Sequence, residues 1–289
     1  MKVINFGSLN IDLVYRVRSI VRPGETVSSY SCERFPGGKG LNQSVALARA
    51  GANVCHCGII GKDGLFLRDL LLKENVDCSL LEIAEDLSTG TAFIQVAEDG
   101  ENSIVLSGGA NQAVDEKYIR KVFSSTAQGD ILLIQNEISN LDLIIRYASA
   151  QHMKVFFNPA PMTPDIAALP LEQINTLILN DSELESLKTC SVKLPSNINL
   201  LLTHGADGAS YFPAGGKVPI HIPAVQTEKV VDTTAAGDTF IGYFIAGLLQ
   251  NPDIFHALQR AAQAASICVT RAGASPSIPF AEEIRGSQQ

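Results

Sequence analysis

Apolar residues along this chain come in short blocks, most of them closed by polar or glycine-containing stretches. Val3 to Gly7, Asn53 to Ile60, Asp130 to Gln135, Lys154 to Phe157, Thr176 to Leu179 and Ile198 to Leu202 read as buried strands. Stretches with helical spacing lie between them: Ser44 to Ala50 stopped by Gly51, Asp63 to Glu74, and Leu141 to Gln151. From Asp115 the alternation is regular, which predicts an α/β protein. Two regions break it. Ile11 to Val17 and Thr26 to Phe35 read as strands joined by a turn at Pro23-Gly24, and Thr91 to Val96 with Ser103 to Leu106 as a hairpin about Asp99-Gly100. Strands without intervening helices predict a small separate sheet, a lid drawn from about residues 11–36 and 91–107. A sheet with one apolar face needs cover, so it is expected over a ligand site and against a second copy of the chain. Ala209 to Phe212 and Lys217 to Ile222 read as a further hairpin. No linker or repeat divides residues 1–289, which read as one domain with a loose tail from Arg285 to Gln289.

Composition narrows the class. The chain of 289 residues is 46% hydrophobic and 18% charged, which excludes a disordered chain. A net charge of −8 argues against a nucleic-acid partner, whose phosphates are held by clustered Lys and Arg. The apolar run after Met1 is too short for a signal segment, and no stretch has eighteen uninterrupted apolar residues, so a cytoplasmic location without a membrane partner is expected. Of the six cysteines only Cys55-His56-Cys57 cluster, in an alternating apolar stretch and without the spacing of a zinc site; reduced structural thiols are expected.

Candidate chemistry gathers after the strand ends. Asn10 and Asp12 follow the first strand two residues apart, so they share a side of an extended chain and could bond adjacent sugar hydroxyls; an Asx turn accounts for them as well. Neither a Gly-x-Gly-x-x-Gly turn nor a P-loop is present. Instead Val231 to Phe240 reads as a tight loop opening a buried helix that continues through Ile241 to Leu249, with Asp238 in its first turn. A helix start offers unpaired N–H groups to an anion, and Ala235, Ala236 and Gly237 leave the approach open. A carboxylate there can serve as a general base beside the anion, which suggests phosphoryl transfer. The competing account is an ordinary helix-terminal Asp after a turn. Asn180 and Glu183 alone would be explained by a helix capping box, and Thr203 to Gly208 by a turn entering a hairpin.

The string Asp232-Thr233-Thr234-Ala235-Ala236-Gly237-Asp238-Thr239-Phe240 resembles the signature of the ribokinase-like sugar kinases. The resemblance extends over nearly the whole chain, through Gly24-Glu25-Thr26, Gly37-Gly38-Lys39-Gly40-Leu41-Asn42-Gln43, Ser88-Thr89-Gly90, Gly109-Ala110-Asn111 and Asn158-Pro159-Ala160-Pro161. It implies a three-layer α/β/α ribokinase-like core with a small β-sheet lid that also makes a homodimer contact. It implies an ATP-dependent kinase acting on the primary hydroxyl of a pentose, D-ribose ahead of other sugars, nucleosides or sugar phosphates. A non-catalytic sugar-binding protein on the same fold is the alternative of another class. By the same resemblance Asn10, Asp12, Gly38, Lys39, Asn42, Glu137 and Asp238 would hold the sugar, and Asp238, with Ala235, Ala236 and Gly237, would carry the chemistry. Asn180, Thr203, Gly205, Gly208, Ala236 and Gly237 would hold ATP, and Glu183 would hold Mg²⁺ through water. Asp232, Thr234, Cys268, Arg271, Gly273 and Ser277 would form a K⁺ loop. Asn136, Arg16, Arg18 and Met162 depart from the pattern and put the choice of sugar in question.

Overall fold

The computed structural model describes residues 1–190 and 192–285, so the expected tail beyond Arg285 lies outside the described residues. The chain runs β1 (Val3–Phe6), β2 (Asn10–Arg16), β3 (Ser31–Gly37), α1 (Lys39–Arg49), β4 (Val54–Gly61), α2 (Leu65–Lys73), β5 (Leu81–Ala84), β6 (Gly90–Val96), β7 (Asn102–Ser107) and α3 (Glu116–Phe123). It continues with β8 (Ile131–Gln135), α4 (Leu141–Ala150), β9 (Lys154–Asn158), β10 (Thr176–Asn180), α5 (Asp181–Thr189), β11 (Asn199–Thr203), β12 (Ala209–Phe212) and β13 (Ile220–Ile222). Helices α6 (Ala236–Gln250), α7 (Ile254–Cys268) and α8 (Ala281–Arg285) close it.

Nine strands form one sheet in the order β13-β12-β11-β10-β9-β8-β1-β4-β5. The strands from β11 through β5 pair in parallel, and β12 and β13 add an antiparallel edge. Alternate residues of each strand enter opposite layers, as a period of two requires. Val3 packs with Leu41, Val45, Phe240, Phe244 and Leu258 from α1, α6 and α7, whereas Ile4 and Phe6 pack with Ile119, Val122, Ile144 and Leu187 from α3, α4 and α5. Burying each such side chain contributes about 1.5–3 kcal/mol, so both faces need their helices. The result is the expected three-layer α/β/α core.

The second sheet has the order β3-β2-β6-β7. Its middle pair, β2 and β6, is parallel, and the two outer pairs are antiparallel. Strand β3 starts at Ser31 and not at the expected Thr26, and Pro23-Gly24 lies in a longer loop. The register explains this: Ser31 pairs with Arg16, the last residue of β2, so residues 26–30 have no partner strand. Helix α1 begins at Lys39, five positions before the expected Ser44. Glycine disfavours a helix by propensity, but Gly40 sits where any Cβ would lie 2.4 Å from the Ser8 nitrogen, and close packing overrides the local preference. The short β5, and α3 and α7, were not singled out from the sequence, although Tyr118, Ile119, Val122 and Phe123 of α3 fall on one buried face at helical spacing. Only the last part of the expected Lys217 to Ile222 strand pairs with β12.

Parallel strands place their carboxyl ends along one edge. Gly7 after β1, Gln135 on β8, Asn158 on β9, Asn180 on β10 and Thr203 on β11 therefore come to the same rim, where α1 and α6 also begin.

Candidate active site

Helix α6 opens on Ala235, which is held left-handed at φ 61°, ψ 6°, and no side chain caps the helix. A non-glycine residue in this region costs about 1–3 kcal/mol and persists only where the surroundings enforce it. A Cβ built on Gly237 would meet nothing within 4 Å, so the first turn faces open space with its N–H groups uncovered by side chains. The open helix start is the arrangement that the small residues led us to expect, except that the Ala236 N–H is given to the Thr233 carbonyl at 3.2 Å. Asp238, in the same turn, is buried to 8% exposure, and each of its oxygens accepts one amide hydrogen bond: Oδ2 from Asn42 Nδ2 at 3.0 Å and Oδ1 from Gln43 Nε2 at 2.9 Å. The early start of α1 makes this possible, because Lys39, Asn42 and Gln43 then lie within its first turns and face α6.

Beside this helix start lie the other expected sugar residues. Gly38 takes φ 97°, and a Cβ there would sit 3.0 Å from both the Asn10 nitrogen and the Ser8 oxygen, so the chain passes close to the start of β2. Asn10 and Asp12 share a face of β2. Asn10 Oδ1 accepts from Asn111 Nδ2 at 2.7 Å, and Asn111 is itself tied to the Leu9 backbone. Burial, reinforced by the Glu137 charge, pushes the Asp12 carboxyl up to about 7. Burial likewise raises Glu137, although Ser8 Oγ donates a short hydrogen bond to it and the Lys39 N–H a longer one at 3.4 Å. Burial alone would lower the Lys39 ammonium; the carboxylates of Asp238, Glu137 and Glu183 outweigh it and hold it above its usual range. The site is thus one cation among several carboxylates, with β2 of the smaller sheet along one side.

Of the residues expected at ATP and Mg²⁺, Asn180 and Glu183 form a complete capping box on α5: Asn180 Oδ1 accepts from the Glu183 N–H at 2.8 Å and Glu183 Oε2 from the Asn180 N–H at 2.9 Å. The local capping account is therefore present, while Glu183 still contributes to the field at Lys39. Thr203 ends β11, and Gly205 and Gly208, at φ 55° and 105°, shape the turn into β12. A Cβ on Gly205 would meet open space, whereas one on Gly208 would strike the Ile222 oxygen at 2.1 Å. Beyond α6, Asp232 Oδ1 accepts from the Thr234 N–H and Oδ2 from the Gly273 N–H, each at 2.9 Å. Cys268 Sγ lies 3.0 Å from Ser277 Oγ, and the Thr239 hydroxyl donates to it at 3.4 Å. Asp232, Thr234, Cys268, Gly273 and Ser277 thus form one compact loop against the start of α6. The Arg271 guanidinium instead pairs with Glu283, which leaves Arg271 only its backbone to offer there.

One carboxylate and the carbonyls of irregular turns suit a hard monovalent cation better than a transition metal. Among the described residues no three or more His, Cys, Asp or Glu side chains converge as a metal cage. A lone carboxylate such as Glu183 fits a divalent ion held mainly by phosphates and water. Three of the four departures from the sequence pattern have structural partners: Asn136 Nδ2 bonds the Pro161 carbonyl at 2.7 Å, Met162 packs against the second core layer, and Arg16 pairs with Glu33 at 3.9 Å. Ser8, Asn111, Gln43 and Gln135 were not singled out from sequence. Gln43 and Asn111 stand inside quoted motifs and Gln135 ends a strand, but nothing local says what they touch.

No helix among the described residues is long and apolar enough to cross a membrane. A family model described as pfkB family carbohydrate kinase matches residues 1–281. The chain is 36% identical to the ribokinase of Haemophilus influenzae over 297 positions, 96% of this chain and 95% of that one. Among solved structures, the ribokinase of Cryptococcus neoformans var. grubii serotype A in complex with ADP superposes with a TM-score of 0.86 at 34% identity, covering 99% of both chains. Arabidopsis thaliana ribokinase complexed with ribose and ATP superposes with a TM-score of 0.84 at 25% identity, covering 99% of this chain and 97% of that one.

Proposed function

We propose a reaction from one premise: this chain belongs to the pfkB family of carbohydrate kinases. Its acceptor is D-ribose, its donor is ATP, and its product is D-ribose 5-phosphate. The observation that carries this reading is Asp238, buried and held by two amides in the first turn of an uncapped helix whose approach is open at Gly237. The relatives named ribokinase, among them one complexed with ribose and ATP, support the acceptor and the donor. The non-catalytic alternative has no observation in its favour, because a site that only binds sugar needs no base beside an anion cradle.

Asn10, Asp12, Gly38, Lys39, Asn42 and Glu137 hold the sugar with its primary hydroxyl at Asp238. Asp238 takes the hydroxyl proton while that oxygen attacks the γ-phosphorus in line and the bond to the β–γ bridging oxygen breaks, releasing ADP; the N–H groups of Gly237 and Asp238 hold the charge on the transferring group, the Ala236 N–H being given to the Thr233 carbonyl. Asn180, Thr203, Gly205 and Gly208 hold the rest of the nucleotide. Glu183 would hold Mg²⁺ through water, and that ion would supply charge neutralisation at the phosphates. Asp232, Thr234, Cys268, Gly273 and Ser277, with the Arg271 backbone, would hold K⁺ and so fix the backbone that opens α6.

The smaller sheet is the lid. Phe35, Ala92 and Leu106 pair in register across Asp12, so its apolar face is the one that presents the sugar residues. Ile104, Val105 and Leu106 at its edge are at least half exposed, which supports a homodimer contact there. The free cysteines fit a reducing compartment, the cytoplasm.

ADP release with MgATP and K⁺ over a panel of D-ribose, 2-deoxyribose, fructose, fructose 6-phosphate and several nucleosides tests the reading. Selective turnover of ribose is expected; selective turnover of another acceptor would overturn the substrate. A rate unchanged on replacing K⁺ by tetramethylammonium would remove the cation loop, and sedimentation as a monomer would remove the dimer.

A further inference from the structure

Beneath Asp238 a chain of buried amides runs through three elements. Gln43 on α1 donates from Nε2 to Asp238 Oδ1 at 2.9 Å, and its Oε1 accepts from Gln135 Nε2 on β8 at 2.7 Å. The same Gln135 nitrogen donates to Asn5 Oδ1 on β1 at 2.9 Å, and Asn5 Nδ2 donates to the Gly40 carbonyl and to Ser44 Oγ, both at 2.8 Å. Asn5, Gln43 and Gln135 are at most 1% exposed. A carboxamide can present either end to a neighbour, so its direction is set by partners that cannot change roles. A backbone carbonyl can only accept. Gly40 therefore turns the Asn5 nitrogen toward itself, which turns the Asn5 oxygen to Gln135, the Gln135 nitrogen to Gln43, and the Gln43 nitrogen to Asp238. A second anchor imposes the same direction: Asn158 Nδ2 donates to the Ile178 carbonyl at 3.1 Å, so its Oδ1 is the end that meets Gln43 Nε2, at 3.3 Å.

We propose that Gln43 is a positioning residue for the base, and that the two backbone carbonyls, acting through Asn5, Gln135 and Asn158, lock its amide in the donating orientation. This rests on the reading of Asp238 as the base and adds how its carboxylate is aimed. Asn42 holds the other oxygen and is placed by that reading against the sugar as well, whereas Gln43 is fully buried with both ends of its amide taken up by protein groups, so its contribution belongs to the chemical step alone. Asn42 Oδ1 and Gln135 Oε1 have no partner among the described residues, so the orientation is kept although these two buried acceptors go unpaired there. A flip of Gln43 would instead set its oxygen against Asp238.

The test uses the full chain with the acceptor that the wild type turns over best. Gln43→Met keeps the length of the side chain and removes the donor; kcat falls ~10- to 100-fold, the scale of a lost hydrogen bond to a charged group, while KM for sugar and for ATP each stay within about twofold. Gln135→Glu leaves Gln43 in place, withdraws its anchor on one side, and lowers kcat by a smaller factor with the same KM pattern. In an Asp238→Ala background, Gln43→Met changes the residual rate by less than about twofold, because there is no carboxylate left to aim. If Gln43→Met fails to fold by circular dichroism, the kcat-only loss in Gln135→Glu decides. A folded Gln43→Met enzyme with wild-type kcat, equal losses in kcat and in affinity, or an undiminished effect in the Asp238→Ala background would each overturn the proposal. Turnover of an acceptor other than ribose ends only the substrate assignment; no turnover by the wild type on any acceptor ends the kinase reading and this proposal with it.

Discussion

The fold treats the carboxylates on the two sides of this site in opposite ways. Asp238 is given two amide donors, one for each oxygen, and those amides cannot titrate. Asp12 and Glu137 are half-buried near one another; among the described residues no hydrogen bond reaches the Asp12 carboxyl, and both donors to Glu137, Ser8 Oγ and the Lys39 N–H, fall on Oε2, so burial pushes both upward, Asp12 to about 7. On the proposed reading Asp238 is the base, which must be aimed before the substrate arrives, and the protein completes its hydrogen bonds in advance. Carboxylates that recognise hydroxyls do better with lone pairs left over, since each sugar hydroxyl then supplies a bond that the protein withheld. The cost of the incomplete pair falls on the free protein and is relieved by the ligand.

The largest effect that would break this contrast is at Asp238. Asp238→Asn keeps the volume and the ATP contacts but cannot accept the proton; kcat should drop by roughly 10²–10⁴, with ATP affinity retained. Full activity in that variant would make Asp238 an ordinary helix-terminal residue. Glu137→Gln and Asp12→Asn should act on the other parameter, raising the sugar KM by about 10- to 100-fold with less change in kcat. Equal losses in kcat for these and for Asp238 would erase the distinction between aiming and recognition.

A smaller effect sharpens it through pH. The folded protein holds the Asp12 proton more tightly than the unfolded chain, whose ordinary value is 3.8. Its contribution to folding stability is therefore fully present below pH 3.8 and is lost as pH rises through about 7. Sugar hydroxyls that donate to Asp12 favour its charged form, so binding should release a proton, and affinity should rise with pH until it levels off above about 7. Calorimetry near neutral pH in buffers of different ionisation enthalpy measures that release. Uptake of a proton, or none, would mean that Asp12 is not bonded to the sugar as a carboxylate.

Much of this could be read from the chain. Short apolar blocks in alternation with helical stretches specify a layered α/β core, because strands buried on both faces must be apolar throughout. The Asp232 to Phe240 string specifies a helix start with small residues and a carboxylate in its first turn, which is local chemistry. The extent of β3, the start of α1 at Lys39 and the pairing of β2 with β6 were not legible, since each depends on a partner distant in sequence: Arg16 for Ser31, the Ser8 backbone for Gly40, and Gly90 for Asn10. The same holds within the site. Asn10, Lys39, Asn42, Glu137 and Asp238 carried recognisable chemistry in their motifs. Gln43, Gln135 and Asn5 carried none, because an amide has no fixed role until the groups at both its ends are known. The sequence by itself determined the kinds of element and the groups able to bind and react. Only the tertiary structure decided which amide end meets Asp238 and which carboxylates go short of donors, because hydrogen-bond direction and burial belong to contacts between segments 35 to 196 residues apart.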